Sequence, residues 1–178
     1  MNIAVYCGSL GGNDAAYIKA AANLGIYIAE HGHNLVYGGS DAGLMGVLAR
    51  KAHENGAKIY GFGLERFAST VGNFKSIDEL VVVKTFSERK SLMMKKADAF
   101  IALPGGTGTL DEISDIACLG HFDYPEKEII FFNVKGFYDG IRQWFEHAAK
   151  EGFLYVGALD RIHFCSSIEE IDAVLNHK

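Results

Sequence analysis

An α/β fold, a doubly wound parallel sheet with helices on both faces, is what this sequence predicts, and three observations carry the expectation. Short apolar runs of strand length alternate with longer stretches of helical periodicity along the chain. The apolar runs are nearly continuous rather than alternating, as strands covered on both faces require. Three of them lead into glycine-bearing loops, after Cys7, Tyr37 and Leu103, and in open parallel sheets the ligand sits beyond the carboxyl ends of the strands. At 178 residues, 49% of them hydrophobic, the chain reads as a single Rossmann-like domain over residues 1–178, large enough to bury a core without staples.

Residues 3–7 form the first apolar run. The glycine-rich stretch 8–13 turns the chain, and Asp14 is placed to cap a helix reaching about Glu30, with Tyr17, Ala21, Leu24 and Ile28 on one face. Residues 34–37 make the second strand, and a glycine loop over 38–43 precedes a helix from about Leu44 to Asn55, closed by Gly56. Residues 58–62 are the third strand. Periodicity then lapses over 63–78, a long connection of the sort that often serves function. Residues 80–83 are a fourth strand and 87–96 a helix with Leu92 and Met93 inward. Residues 99–103 make the central strand, stopped by Pro104, which has no N–H to give a ladder. A helix runs from Thr109 to about His121, and Pro125 breaks the chain. Residues 128–133 are another strand, and 138–151 a helix whose buried stripe is Ile141, Trp144, Phe145 and Ala148. A last strand near Ile162-His163-Phe164 precedes a final helix over 167–175.

Composition narrows the function. A formal net charge of −5 without a Lys/Arg run disfavours a nucleic-acid polymer as partner. No apolar run reaches membrane-spanning length, and the first residues enter a strand rather than a leader peptide, so no membrane is expected and the expected location is cytoplasmic. Cys7, Cys118 and Cys165 are scattered and odd in number, which suits small buried hydrophobes better than a disulfide framework. The seven histidines show neither His-x-x-x-His nor His-Glu-x-x-His, so no metal is expected. The loop after Cys7 is not Gly-x-Gly-x-x-Gly and no Gly-x-x-x-x-Gly-Lys-Ser/Thr occurs; neither a nicotinamide cofactor nor a P-loop is indicated, and no cofactor is expected.

The most informative stretch is the central strand with the loop that leaves it, Pro104-Gly105-Gly106-Thr107-Gly108-Thr109-Leu110-Asp111-Glu112. Gly105, Gly106 and Gly108 let the backbone turn tightly and approach a ligand, while Thr107 and Thr109 add hydroxyls. A glycine loop entering a helix offers free N–H groups and the positive end of a dipole to an anion. Asp111 and Glu112 are expected in the first helical turn. Pro-Gly-Gly alone is only a turn and Thr109 alone only a cap; Glu112 at the rim of an anion pocket tips the reading to chemistry. Ser87-Glu88-Arg89-Lys90-Ser91 opens the helix leading into the central strand, where an arginine can grip a phosphate or carboxylate with two parallel bonds.

Glu88-Arg89-Lys90 together with Pro104-Gly105-Gly106-Thr107-Gly108-Thr109-Leu110-Asp111-Glu112 resembles the LONELY GUY family of cytokinin-nucleotide phosphoribohydrolases, a group long labelled lysine decarboxylase. Cys7-Gly8-Ser9, Tyr37-Gly38-Gly39 with Gly43-Leu44-Met45-Gly46, Asn133-Val134-Lys135-Gly136-Phe137-Tyr138 and Glu151-Gly152-Phe153 extend the likeness over most of the chain. The resemblance implies hydrolysis of a nucleoside 5′-monophosphate at its N-glycosidic bond, with Arg89 and Glu112 as catalytic pair and a homodimer as assembly. It gives the glycine–threonine loop to the phosphate. The expected substrate-binding residues are Ser9, Arg89, Lys90 and the run Gly105, Gly106, Thr107, Gly108, Thr109, Leu110 and Asp111, with Gly39, Ser40, Gly43 and Met45 expected from the residues themselves at the base end. Ile116, Leu119 and Phe122 suit either a subunit contact or packing on their own sheet. The chain departs from the family at Phe86-Ser87, where Met-His is usual, around Leu119 and His121, at Pro125 and Glu128, and near Ser69-Thr70-Val71-Gly72. The alternative reading is a non-catalytic carrier of a nucleotide or phosphorylated cofactor. A pyridoxal-dependent decarboxylase would need a lysine in a suitable setting, and none stands out.

Overall fold

The computed structural model describes residues 1–67, 75–123 and 126–176. Seven strands, β1 (Asn2–Tyr6), β2 (Asn34–Tyr37), β3 (Ile59–Leu64), β4 (Glu79–Val83), β5 (Ala99–Ala102), β6 (Ile129–Phe132) and β7 (Ile162–Cys165), form one sheet in the order β4-β3-β2-β1-β5-β6-β7. Every pairing is parallel. The helices are α1 (Ala15–Glu30), α2 (Gly43–Glu54), α3 (Phe86–Lys96), α4 (Thr107–Asp123), α5 (Asp139–Lys150) and α6 (Ile168–Asn176). Helices α1, α2 and α6 pack on one face of the sheet, and α3, α4 and α5 on the other.

The continuous apolar runs explain these two cores. Along β1, Ile3 and Val5 turn to the first face with Cys7 just beyond the strand, while Ala4 and Tyr6 turn to the second. Along β5, Ala99 and Ile101 alternate with Phe100 and Ala102 in the same way. The chain winds outward from β1 to β4, and α3 then carries it back to β5, which pairs with β1 in the register Tyr6↔Ala102. Winding direction therefore reverses between β1 and β5, which opens a crevice beyond their carboxyl ends.

Local chemistry sets the helix starts. Asp14 caps α1 by accepting from the Ala16 N–H at 2.8 Å, and Thr85 caps α3 by accepting from Glu88 N–H at 3.1 Å. Helix α2 has no side-chain cap; Gly43 takes φ +55° at its first position, and a Cβ there would fall 2.4 Å from the Ser9 carbonyl carbon. Glycine thus lets α2 begin directly against the loop leaving β1. Glu128, in the place where the family usually has proline, holds Arg161 at 2.6 Å and His163 at 2.8 Å, tying the start of β6 to β7.

Several expectations change. Helix α4 begins at Thr107, two residues early, so Asp111 and Glu112 lie beyond its first turn. Trp144 is 58% exposed, because the face of α5 that meets the sheet is centred on Phe145 and Ala148. Cys118 is exposed on α4, whereas Cys7 and Cys165 are buried and all three are free. Of the three apolar residues considered on α4, Ile116 packs in the core, Leu119 is partly buried against it and Phe122 is exposed. Strand β3 runs on to Leu64 and leads into a 3-10 turn over Glu65–Phe67. Ser69-Thr70-Val71-Gly72 and Pro125 lie outside the described residues. Among the described residues no helix is long and apolar enough to cross a membrane, and no group of three or more His, Cys, Asp or Glu is placed to hold a metal.

Candidate active site

The crevice is built from the loops after β1 and β5. Leu103 N–H donates to Tyr6 O at 2.9 Å and Gly8 N–H to Pro104 O at 3.1 Å, so the two loops are tied edge to edge. The Tyr138 hydroxyl supports this join from α5's approach by donating to Leu103 O at 2.7 Å. Gly105 is required by packing: a Cβ there would lie 2.1 Å from Thr109 Oγ1 and 2.9 Å from Gly8 N. The chain then enters α4, whose ladder begins with Leu110 N–H donating to Gly106 O at 3.1 Å. The N–H groups of Thr107, Gly108 and Thr109 precede that ladder, and all three residues line a cavity of about 720 Å³. Backbone donors and the helix dipole there suit an anionic group.

Glu112 comes off α4 into the same cavity and meets Arg89 from α3, Nη2 to Oε1 3.1 Å. The two side chains are only 11% and 12% exposed, which makes this a buried ion pair rather than a surface contact. Burial pushes the Glu112 carboxyl above its ordinary range, and Arg89 opposes the shift without cancelling it; Asp111 adds to it. The guanidinium lies against Gly38, where a Cβ would be 2.3 Å from Arg89 Nη2. Arg89 Nε is buried with no hydrogen-bond partner.

Of the residues expected to bind substrate, Ser9, Ser40, Met45, Arg89, Gly106, Thr107, Gly108, Thr109 and Asp111 line this cavity together with Glu112. Gly105 lines a smaller cavity of about 220 Å³ that shares Gly8, Ser9 and Gly106 with the first. Four lie outside the lining. Gly39 makes a turn at φ +79°, Gly43 starts α2, and Leu110 is on the outer side of α4, 39% exposed. Lys90 is held by Asp111 at 3.1 Å and Asp115 at 3.0 Å, bracing α3 to α4 behind the Arg89–Glu112 pair. Burial pulls its pKa down, but the bonds to Asp115 and Asp111 more than restore it and leave it above the ordinary lysine value. A lysine kept protonated is a poor Schiff-base nucleophile, and no lysine is among the described residues lining the cavity, so the site does not fit pyridoxal phosphate.

Tyr6, Gly38, Leu64, Phe67 and Phe86 also line the cavity, and sequence reasoning alone does not assign them to it. Phe67 and Phe86 form an aromatic wall, ring centroids 6.4 Å apart, with the Arg66 guanidinium 4.9 and 4.4 Å from the two rings. Phe86 is visible in the sequence as a departure from the usual Met; Phe67 falls where periodicity lapses and carries no signal.

Fold and site together define a Rossmann-like protein with an open helix N-terminus and a buried arginine–carboxylate pair at its topological switch point. The family model described as "Possible lysine decarboxylase" matches residues 45–175, and the chain belongs to that family, the LONELY GUY group that its motifs resemble. Over 152 residues it is 38% identical to a cytokinin riboside 5′-monophosphate phosphoribohydrolase of Arabidopsis thaliana, covering 85% of this chain and 71% of that one. Over 169 residues it is 36% identical to a cytokinin riboside 5′-monophosphate phosphoribohydrolase of Rhodococcoides fascians, covering 94% and 85%. The solved structure of a molybdenum cofactor binding protein from Rippkaea orientalis shares the fold, with TM-score 0.72 at 21% identity over 98% of this chain and 97% of that one.

Proposed function

We propose that this protein hydrolyses the N-glycosidic bond of a nucleoside 5′-monophosphate, AMP or a cytokinin riboside monophosphate, to free base and ribose 5-phosphate. The observation that carries the reading is the buried Arg89–Glu112 pair in one cavity with the open N-terminus of α4. The 5′-phosphate takes the N–H groups of Thr107, Gly108 and Thr109. From Thr107 to Glu112 is five residues along α4, ~7.5 Å at the α-helical rise, a span that the ribose bridges. Breaking a ribosyl–base bond develops oxocarbenium character, which a carboxylate stabilises while it orients and deprotonates the attacking water. Glu112 has that role. Arg89 holds the carboxylate and offsets charge on the departing base. Phosphate binding remote from the breaking bond supplies the positioning. Ser40, Met45, Leu64, Phe67 and Phe86 make the base end, with the aromatic wall as a stacking surface.

The relatives' names support the reaction; a homodimer is what the resemblance implies, and we take it as the assembly. Three free cysteines, two of them buried, accord with a reducing compartment, and we take the cytoplasm as its location. The fold shared with a cofactor-binding protein supports the carrier as the second reading, without a ligand-specific residue to favour it. Incubation with AMP, other nucleoside monophosphates and a prenylated AMP, with product analysis, separates the two: free base and ribose 5-phosphate mark the hydrolase, binding without turnover the carrier.

A further inference from the structure

Tyr6 ends β1 at the switch point, opposite Ala102 of β5, and lines the cavity with Arg89 and Glu112. Its ring belongs to the apolar core beneath α3 and α4, and the residue is 2% exposed. Its hydroxyl is sealed from solvent and has no hydrogen-bond partner. A buried hydroxyl without a partner weakens a fold, and phenylalanine would fill the same core space without that penalty. The free protein therefore gains nothing from this oxygen. In the lining of the same cavity, Arg89 gives Glu112 one contact at 3.1 Å, while its Nε, like the tyrosine hydroxyl, lacks an acceptor. Three residues that line one cavity thus carry two unused donors, the Tyr6 hydroxyl and Arg89 Nε, and a carboxylate with unused acceptor capacity.

We propose that Tyr6 is a positioning residue for Glu112, its O–H donating to the carboxylate once a ligand occupies the cavity. Hydrogen bonds at reacting groups are commonly long or misaligned in a free enzyme and tighten in the complex. A ligand anchored at the start of α4 draws on Glu112 and gives the carboxylate reason to settle against a fixed donor. Tyr6 qualifies because it never loses its proton at working pH. Burial first, then the neighbouring Glu112 charge, hold its deprotonation far above the ordinary tyrosine value, with Arg89 opposing and Asp115 adding. No proton changes hands; the bond fixes the carboxylate's direction and favours its ionised form. The other titratable groups acting with Glu112 are Arg89 and Lys90 from α3, Asp111 on its own helix and the Cys7 thiol after β1. Arg89 and Lys90 are charged, Asp111 is a carboxyl, and the neutral Cys7 thiol is a weak donor that packs in the core on the opposite face of the sheet. The proposal rests on the hydrolase reading for its kinetic consequence but not for its geometry.

The test is Tyr6→Phe, measured by thermal melting, steady-state kinetics with AMP across pH, and carbon-13 NMR titration of the Glu112 carboxyl with ribose 5-phosphate bound. The variant should melt at the parent temperature or above it. Its kcat should fall roughly tenfold or more, the scale of a lost bond to a charged group, with KM within about twofold. The acid limb of kcat and the Glu112 titration should both move to higher pH, because the ionised carboxylate has lost a donor. Unchanged kcat and an unmoved acid limb would overturn the proposal. So would a lowered melting temperature with kcat and KM shifting together and no change in titration, the pattern of simple packing. Should the parent cleave nothing, the hydrolase reading fails on its own. The titration with ribose 5-phosphate then still decides Tyr6: an upward shift in the variant supports the positioning role, and no shift removes it.

Discussion

Replacing Gly38 by alanine moves one reacting side chain while removing no charge from the site. A Cβ at that position would stand 2.3 Å from Arg89 Nη2, 3.3 Å from Arg89 Cζ and 3.1 Å from Met45 Sδ. Ordinary contact begins near 3.4 Å, so the guanidinium must retreat by 3.4 − 2.3, about 1.1 Å. Gly38 is not among the residues with positive φ, so alanine fits the backbone, and the atom displaced is the far end of a flexible side chain. The fold yields there cheaply, at about 1 kcal/mol of stability or less. The Arg89–Glu112 pair, now at 3.1 Å, does not. A misplacement of about 1 Å at a catalytic group costs roughly 100-fold, or about 2.7 kcal/mol of transition-state stabilisation. Gly25→Ala is the control. Its Cβ would meet Leu48 O on the facing helix at 2.6 Å, a backbone atom that has no room to step aside, so stability should fall by roughly 1–3 kcal/mol with kcat/KM of the folded protein retained. Steady-state assays on AMP beside thermal melts read both variants. A Gly38→Ala protein with parental kcat/KM would show that the Arg89 position matters little, and the reasoning would fail.

The same geometry sets three other outcomes. Because burial raises the Glu112 carboxyl and the base acts ionised, activity should fall as pH drops through a value above the ordinary carboxylate range, and an acid limb at or below pH ~4 would contradict this. Lys90→Met should loosen the α3–α4 brace, lowering stability by about 1 kcal/mol while leaving ribose 5-phosphate affinity and its salt dependence near the parent's; a large loss of affinity would return Lys90 to the ligand contacts. Phe86→Ala should raise KM for AMP roughly tenfold and leave product inhibition by ribose 5-phosphate unchanged, since stacking on an aromatic face is worth about 1–3 kcal/mol per base. Equal weakening of both ligands would mean that Phe86 shapes the whole cavity.

Much of this architecture is legible in the sequence because burial on two faces leaves a simple mark. The runs at 3–7, 34–37, 99–103 and 128–133 can only be central strands, and the glycine loops that leave the first three meet at one sheet edge. Arg89 and Glu112 are legible as residue types at a spacing, though not their mutual burial, which depends on α3 crossing back beneath β1. Lys90, one residue further round α3, points away from the cavity, and periodicity there is too short to resolve which neighbour faces in. Gly39 and Gly43 look ligand-facing in sequence, but their positive φ serves the turn and the start of α2. Trp144 misleads because a tryptophan at helical spacing looks like core, whereas the sheet meets α5 through Phe145 and Ala148. Tyr6 is hidden for the opposite reason: its ring is core, and nothing in an apolar strand marks the one oxygen that lacks a partner.

The most direct test of the central claim is product analysis with AMP for the parent protein and Glu112→Gln, which keeps the side-chain shape and removes the base. Free adenine and ribose 5-phosphate from the parent, with turnover lost in the variant and AMP binding retained, is the expected result. Equal turnover by both proteins, or tight AMP binding by the parent without cleavage, would contradict the account of Glu112 as the group that drives hydrolysis.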